Sequence, residues 1–162
     1  MISLSDPRLL RTQCLIGGEW RGEPQSPIFN PATGDVLAQV PHLGATECEG
    51  AVLSASAAFG PWSDLTGKAR GELLQRWHDL IRGHCEDLAL ILTAEQGKPL
   101  AEARAEIDYA ADYVAFYAEE AKRLAGEIPS SHRADAMALV TRQPLGVVAA
   151  ITPWNFPAAM VT

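Results

Sequence analysis

The spacing of apolar residues along the chain predicts short strands at the beginning. Up to about residue 45, apolar residues come in brief runs that are separated by turn-forming residues. Gly17 and Gly18 separate two such runs, which indicates a two-residue β-hairpin. Residues 30–35 read Asn-Pro-Ala-Thr-Gly-Asp and predict a turn, because proline fixes φ and glycine tolerates unusual backbone angles. A strand is predicted at Val36–Val40, ended by Pro41.

The apolar period becomes helical near residue 46 and predicts four helices in succession. The first has Thr46 as N-cap and Glu49 three residues later, a capping-box pattern, and is expected to end at Pro61. The second begins near Thr66, and the third stops at Gly97. The apolar face of the second helix is predicted to consist of Leu73, Leu74, Trp77, Leu80 and Ile81.

The fourth and longest helix is predicted for residues 99–124. Its apolar residues recur at steps of three and four, which defines one continuous face. These residues are Ile107, Ala110, Val114, Tyr117, Ala121 and Leu124. Aromatic residues on such a face are more typical of a core than of a cofactor site, so we expect them to be buried.

Two further strands are predicted after Gly126. Residues 137–143 alternate between apolar and polar, and Pro144 ends the run. Residues 146–151 form a short apolar run of the kind that is buried on both faces of a parallel sheet. The proline-rich stretch 152–157 that follows is expected to be a loop. Because a buried parallel strand needs neighbours, we expect the remainder of this sheet to come from sequence beyond residue 162.

Composition and charge narrow the classes of protein that fit this α/β pattern. The chain has 162 residues, of which 48% are hydrophobic and 20% are charged, and its net charge is −7. This acidity argues against nucleic acid and against an anionic membrane as partners. No apolar stretch reaches transmembrane length and no secretory signal is evident, so we expect a cytoplasmic location.

The three cysteines predict neither a disulfide framework nor a metal centre. Cys14, Cys48 and Cys85 are odd in number and widely spaced. We interpret them as small packed residues rather than as nucleophiles or ligands.

Asn155 is the candidate for chemistry. It lies between two aromatic residues and two prolines, directly after the predicted strand, at the sheet edge where open α/β folds bind ligands. Its amide is a neutral donor that could stabilise a developing oxyanion. The alternative is an asparagine that merely satisfies a turn, and spacing alone favours that alternative.

Several ordered blocks resemble the aldehyde dehydrogenase superfamily. They are Ile-Gly-Gly-Glu-Trp at 16–20, Asn-Pro-Ala-Thr-Gly at 30–34, Glu-Gln-Gly-Lys-Pro-Leu at 95–100, Pro-Leu-Gly-Val-Val at 144–148 and Ile-Thr-Pro-Trp-Asn-Phe-Pro at 151–157. Within the superfamily, residues 117–127 and 150–160 are most similar to NAD(P)-dependent succinate-semialdehyde dehydrogenases. Enzymes that act on glutarate semialdehyde or betaine aldehyde share much of this sequence pattern.

The resemblance implies a fold and a division of the chain. Residues 1–126 would be the N-terminal hairpin and helical part of the cofactor-binding domain. Residues 127–145 would be a connector and a strand that bridges subunits, in a homodimer or homotetramer. Residues 146–162 would carry the first strand of a Rossmann-like sheet and the Trp-Asn-Phe-Pro loop.

It also implies roles for the residues near the loop. Family members oxidise an aldehyde to an acid with NAD or NADP, through a cysteine thiohemiacetal and a thioester. Asn155 matches the oxyanion asparagine, and it lies along the cofactor together with Ile151, Thr152, Pro153 and Trp154. Phe156 and Met160 match positions that line the aldehyde channel.

The rest of the family's catalytic set has no counterpart here. The family nucleophile lies in a Gly-Gln-x-Cys setting, which none of the three cysteines has, and the general-base glutamate is also further downstream. We therefore expect this chain to be about the first third of such an enzyme and to be inactive alone. A non-catalytic chain that acts only as a helical interaction module, or that aggregates, is the alternative.

Overall fold

Two antiparallel hairpins precede the helices in the computed structural model, which describes residues 2–162. Strand β1 (Cys14–Ile16) pairs with β2 (Glu19–Arg21), and β3 (Ser26–Phe29) pairs with β4 (Val36–Val40). The first hairpin, the turn at residues 30–35 and strand β4 are confirmed. Strand β3 was not predicted.

The first hairpin is set by its two glycines. Gly17 and Gly18 have φ angles of 63° and 81°. A two-residue turn that matches the twist of its strands needs positive φ at both positions, which glycine adopts without strain.

Four helices follow, as the apolar period predicts. They are α1 (Ala45–Ser63), α2 (Gly67–Gly83), α3 (Cys85–Gln96) and α4 (Leu100–Glu120). No helix among residues 2–162 is both long and apolar enough to cross a membrane.

Two of the predicted helix ends are confirmed. Thr66 caps α2, because its Oγ1 accepts the backbone N–H of Ala69 at 3.2 Å. Gly97 ends α3 in the left-handed region, with a φ of 78°.

Both predicted ends of α1 are wrong. The helix begins at Ala45, and the Glu47 carboxylate accepts the backbone N–H of Gly44 at 2.9 Å. Glu47 reaches back three residues to Gly44, so the capping frame lies two residues before the one built on Thr46 and Glu49. Pro61 lies inside the last turn, because one lost backbone bond there does not stop a helix that ends two residues later.

The buried face of α4 differs from the predicted one. The helix ends at Glu120, and Tyr117 and Leu124 are 55% and 63% exposed. The buried residues are Ala103, Glu106, Ile107, Ala110, Ala111, Val114 and Ala118. Small side chains dominate this face because α2 and α3 pack closely against it. On α2, Leu73, Trp77 and Leu80 are likewise exposed, and Ile81 is the member of its predicted stripe that is buried.

The core lies between α2, α3 and α4. Its buried members are Ile81, Ala89, Leu92, Ala103, Ile107, Ala111 and Val114. Ala158, from the end of the chain, packs against the same cluster. The terminal loop is therefore attached to the helices.

The two late strands are not formed among the residues that the structure describes. Residues 137–143 contribute one isolated bridge, between Glu127 and Val140. Residues 146–151 pair with nothing, and Leu145 and Ile151 are 99% and 100% exposed. A β-ladder needs a partner, and no segment of residues 2–162 provides one for 146–151.

Candidate functional site

A cleft of about 620 Å³ separates the junction of α3 and α4 from the terminal loop. Its walls come from two parts of the chain that are far apart in sequence. They consist of Gln96, Gly97, Lys98, Pro99, Glu102, Ala105, Glu106 and Tyr109 on the helical side, and Trp154, Asn155 and Phe156 on the loop side.

The side chain of Asn155 is free on the wall of this cleft. It makes no hydrogen bond to another residue between Ile2 and Thr162. Asn30 shows what a turn-forming asparagine does instead, because its Oδ1 accepts the backbone N–H of Ala32 at 2.9 Å. The amide of Asn155 therefore does not serve as a turn bond, and its N–H donors are available to a ligand.

Three alternate residues of the terminal segment, Trp154, Phe156 and Ala158, are contacted by side chains from the end of α3, the α3–α4 connection and α4. Gln96 donates from Nε2 to the carbonyl of Trp154 at 3.3 Å. Lys98 Nζ lies 4.3 Å from the centre of the Phe156 ring. The Glu106 carboxylate accepts the backbone N–H of Ala158 at 2.9 Å.

The same lysine and glutamate form a buried ion pair. Lys98 Nζ contacts the second carboxylate oxygen of Glu106, and their side chains are 14% and 1% exposed. A carboxylate so deeply buried is tolerated because each oxygen has a donor, one from the lysine and one from the Ala158 backbone. Glu106 is therefore the point at which α4, Lys98 and the loop meet.

The backbone of the loop is strained at one residue. Phe156 has a φ of 52°, in the left-handed region that side chains other than glycine rarely adopt. Such a conformation persists where surrounding contacts hold it, and it occurs often at binding sites.

The predicted site residues divide into two groups. Trp154, Asn155 and Phe156 are brought together in the cleft. Ile151, Thr152 and Pro153 are exposed and do not line it, and neither does Met160, although its N–H donates to the carbonyl of Phe156 at 3.0 Å. The roles of all seven stay predictions.

Lys98, Glu106 and Tyr109 line the cleft but were not singled out from the sequence. Glu106 had a signal, since it is a charged residue within the small and apolar side of a helix, between Ala103 and Ala110. Its partners lie 8 and 52 residues away, which the sequence does not reveal.

The cysteines do not contribute to the cleft. Cys14 and Cys48 are exposed elsewhere on the chain. Cys85 is half-buried, and burial raises the pKa of its thiol, with the nearby Asp108 carboxylate adding to the effect. A thiol with a raised pKa is a poor nucleophile at neutral pH, so Cys85 is unsuited to covalent catalysis.

Comparison with known proteins identifies relatives along the whole chain. The model of the aldehyde dehydrogenase family matches residues 20–162. A 3-sulfolactaldehyde dehydrogenase from Pseudomonas putida is 52% identical over 100% of this chain and 34% of its own length. The NADP-dependent succinate-semialdehyde dehydrogenase of Escherichia coli is 48% identical over 99% of this chain and 34% of its own.

A solved structure gives the same picture. The crystal structure of an NADP-dependent enzyme from E. coli superposes with a TM-score of 0.95 and 48% identity, over 98% of this chain and 34% of that one. The chain thus spans about a third of the length of the relatives that it matches. From the family match, the identity and the shared backbone, we conclude that this chain belongs to the aldehyde dehydrogenase family.

Proposed function

We propose that this chain supplies the oxyanion-binding amide and part of the cofactor wall of an NAD(P)-dependent aldehyde dehydrogenase that oxidises succinate semialdehyde to succinate. The observation that carries the proposal is the unpaired amide of Asn155 on the wall of the cleft. Asn155 would be the oxyanion stabiliser, Ile151 to Asn155 would face the cofactor, and Phe156 and Met160 would line the aldehyde channel.

The chemistry explains why an amide is suitable at this place. When a nucleophile adds to an aldehyde, the carbonyl oxygen acquires negative charge, which a fixed N–H donor stabilises more than it stabilises the neutral carbonyl. Pro153 and Pro157 restrict the backbone on either side of Asn155, which limits the positions that its N–H donors can take. The nucleophilic thiolate and the general base are not roles that we assign to any residue of this chain.

The loop edge fits the dinucleotide as one wall of its site. Trp154 is 84% exposed and Ile151 is fully exposed, which leaves apolar surface beside the cleft without protein contacts. The bound cofactor would supply the hydride acceptor. Ile151, Thr152, Pro153 and Trp154 would cover one side of it and exclude water. The E. coli relative is named for NADP, and NAD is the alternative.

The relatives support a short aldehyde that bears an anionic group. Succinate semialdehyde carries a carboxylate and 3-sulfolactaldehyde carries a sulfonate, and both are named substrates of relatives about equally similar to this chain. Glutarate semialdehyde belongs to the same chemical class, whereas betaine aldehyde is cationic. Comparison of kcat/KM among these aldehydes separates the candidates.

The assembly and the division of the chain are part of the same proposal. Residues 1–126 would be the hairpin and helical part of the cofactor-binding domain. Residues 127–145 would reach a second subunit of a homodimer or homotetramer, and 146–162 would begin the sheet. The apolar residues of the middle segment support this, since Ile128, Met137 and Leu139 are largely exposed. We also place the enzyme in the cytoplasm.

A chimera tests the role of Asn155. In it, this chain replaces the corresponding third of the E. coli succinate-semialdehyde dehydrogenase, which supplies the remaining catalytic groups. Asn155→Ala is expected to lower kcat by about 10²–10³-fold while KM changes little, because a donor to the transition state is lost. The 162-residue chain alone is expected to form no NAD(P)H.

Asn30→Ala is the matched control, since it removes the same amide from a residue whose side chain is engaged in a turn and does not line the cleft. It is expected to lower the unfolding temperature and to leave kcat unchanged. An Asn155→Ala chimera that keeps kcat within about tenfold of the parent would refute the oxyanion role.

Exposed apolar surface favours a second candidate, a chain that acts only through association. Leu145, Val148 and Ile151 are each at least 75% exposed. Contiguous apolar surface of this kind promotes contact with other proteins or self-association. Size-exclusion chromatography tests this reading, and a monomer at all concentrations would contradict it.

A further inference from the structure

We propose that Lys98 and Glu106 are positioning residues that orient the loop carrying Asn155, a role that rests on the proposed function of that asparagine. The two side chains pair near the start of α4 and contact the chain at two points just after Asn155, at Phe156 and Ala158. They would act through the loop, without touching the substrate.

The arrangement of the contacts supports this role. Lys98 approaches the ring of Phe156, which follows Asn155 directly, and Glu106 accepts the N–H of Ala158 three residues after Asn155. Both contacts lie within a stretch whose backbone is left-handed at Phe156. A residue in that conformation needs external contacts to stay there, and the ion pair supplies two of them.

Burial distinguishes this pair from the ion pair that joins α3 to α4. Arg104 and Glu86 connect α4 to α3, but both side chains are about half exposed and neither contacts the loop. Glu106 is almost fully buried and has its two oxygens divided between Lys98 and Ala158. A buried carboxylate with two charge-assisted hydrogen bonds fixes geometry far better than a solvated one does.

The attachment is tested directly on the 162-residue chain. Glu106→Ala removes the acceptor of the Ala158 N–H, and hydrogen exchange of that amide is expected to become about tenfold faster or more. Glu86→Ala is the matched control, because it removes a carboxylate that also pairs with a basic residue, Arg104, but does not reach the loop. Equal Ala158 exchange in the Glu106→Ala variant and the parent would overturn the proposal.

The consequence for catalysis is tested in the chimera with milder variants. Glu106→Gln keeps an acceptor for Ala158 but loses the charge that holds Lys98. Lys98→Met keeps most of the unbranched side chain but loses its charge. Each is expected to lower kcat by about tenfold with little change in KM, as displacement of a transition-state donor requires. If Glu106→Ala does not fold, these two milder variants still test whether the pair orients the loop.

Combination with Asn155→Ala separates positioning from a general structural role. If Lys98 and Glu106 act through Asn155, their substitution costs nothing further once that amide is gone. The inference would be overturned if the Lys98 or Glu106 substitution lowered kcat by its full factor in the Asn155→Ala background, or if it did not lower kcat on its own. Neither result would affect the proposed role of Asn155. If Asn155→Ala itself has no effect, the proposed function fails first.

Discussion

A methyl group added at Gly71 of α2 is expected to destabilise the chain, whereas the same change at Gly50 of α1 is expected to stabilise it. A Cβ at Gly71 would lie 2.7 Å from the carbonyl oxygen of Ala118 on α4. A Cβ at Gly50 would meet nothing within 4 Å. Both glycines lie within helices, and they differ in which atoms of the rest of the chain are close to them.

The magnitude follows from two opposing effects. Alanine is favoured over glycine within a helix by about 0.5–1 kcal/mol, and this gain applies to both positions. At Gly71 the clash is with backbone, so α2 and α4 must separate, and overpacking of this kind costs about 1–3 kcal/mol. The difference between the two variants is therefore the cost of the clash itself, about 1–3 kcal/mol.

Urea unfolding of both variants measures that difference in stability. The dependence of the unfolding free energy on urea concentration must be the same in both variants, so that their midpoints can be compared directly. Gly50→Ala is expected to move the midpoint up and Gly71→Ala to move it down. A Gly71→Ala variant as stable as Gly50→Ala would refute the close approach of α2 to α4. Since α4 carries Glu106, it would also weaken the geometry on which the cleft depends.

Two further predictions concern other ionisable groups. The Asp87 carboxylate accepts the backbone N–H groups of Ser5 and its neighbour, which holds the pKa of Asp87 below its ordinary value of 3.8. This stabilisation is present above pH 3.8 and is lost as the pH falls through the lowered pKa of Asp87. Asp87→Asn is therefore expected to speed proteolysis near Ser5 at neutral pH, and the difference from the parent is expected to vanish in acid. A proteolysis rate at neutral pH equal to that of the parent would contradict this prediction. Iodoacetamide is expected to modify Cys14 and Cys48 before Cys85, because burial raises the pKa of the Cys85 thiol, and peptide mass spectrometry that finds Cys85 modified first would contradict this.

Features set by local chemistry could be predicted from the sequence. The Gly17-Gly18 turn, the Thr66 cap and the Gly97 helix end each depend on residues within a few positions, and the structure confirms all three. The family could also be predicted, because its blocks are local and ordered. The cap of α1 is local too, but its N-cap is Gly44, which has no side chain that would mark it as a cap in the sequence.

Features that depend on distant partners could not be predicted. The face of α4 is chosen by close packing with α2 and α3, which favours alanine and leaves Tyr117 outside. Apolar spacing alone therefore gave Ile107, Ala110 and Val114 correctly and Tyr117 and Leu124 wrongly. Residues 146–151 have the composition of a strand, but a strand requires a second one beside it. Glu106 was missed for the same reason, since a lysine 8 residues before it and a backbone N–H 52 residues after it make its burial possible.

The missing sheet also determines what holds the loop at the cleft. The apolar run before the loop makes no sheet contacts within residues 2–162, and Ile151 is fully exposed, so no β-ladder in this part of the chain fixes Asn155 from its N-terminal side. What holds the loop is Gln96, Lys98 and Glu106, all from the helical side. It follows that the orientation of the candidate oxyanion amide depends here on the α3–α4 junction, and that substitutions at this junction are expected to alter it before substitutions in residues 146–151 do.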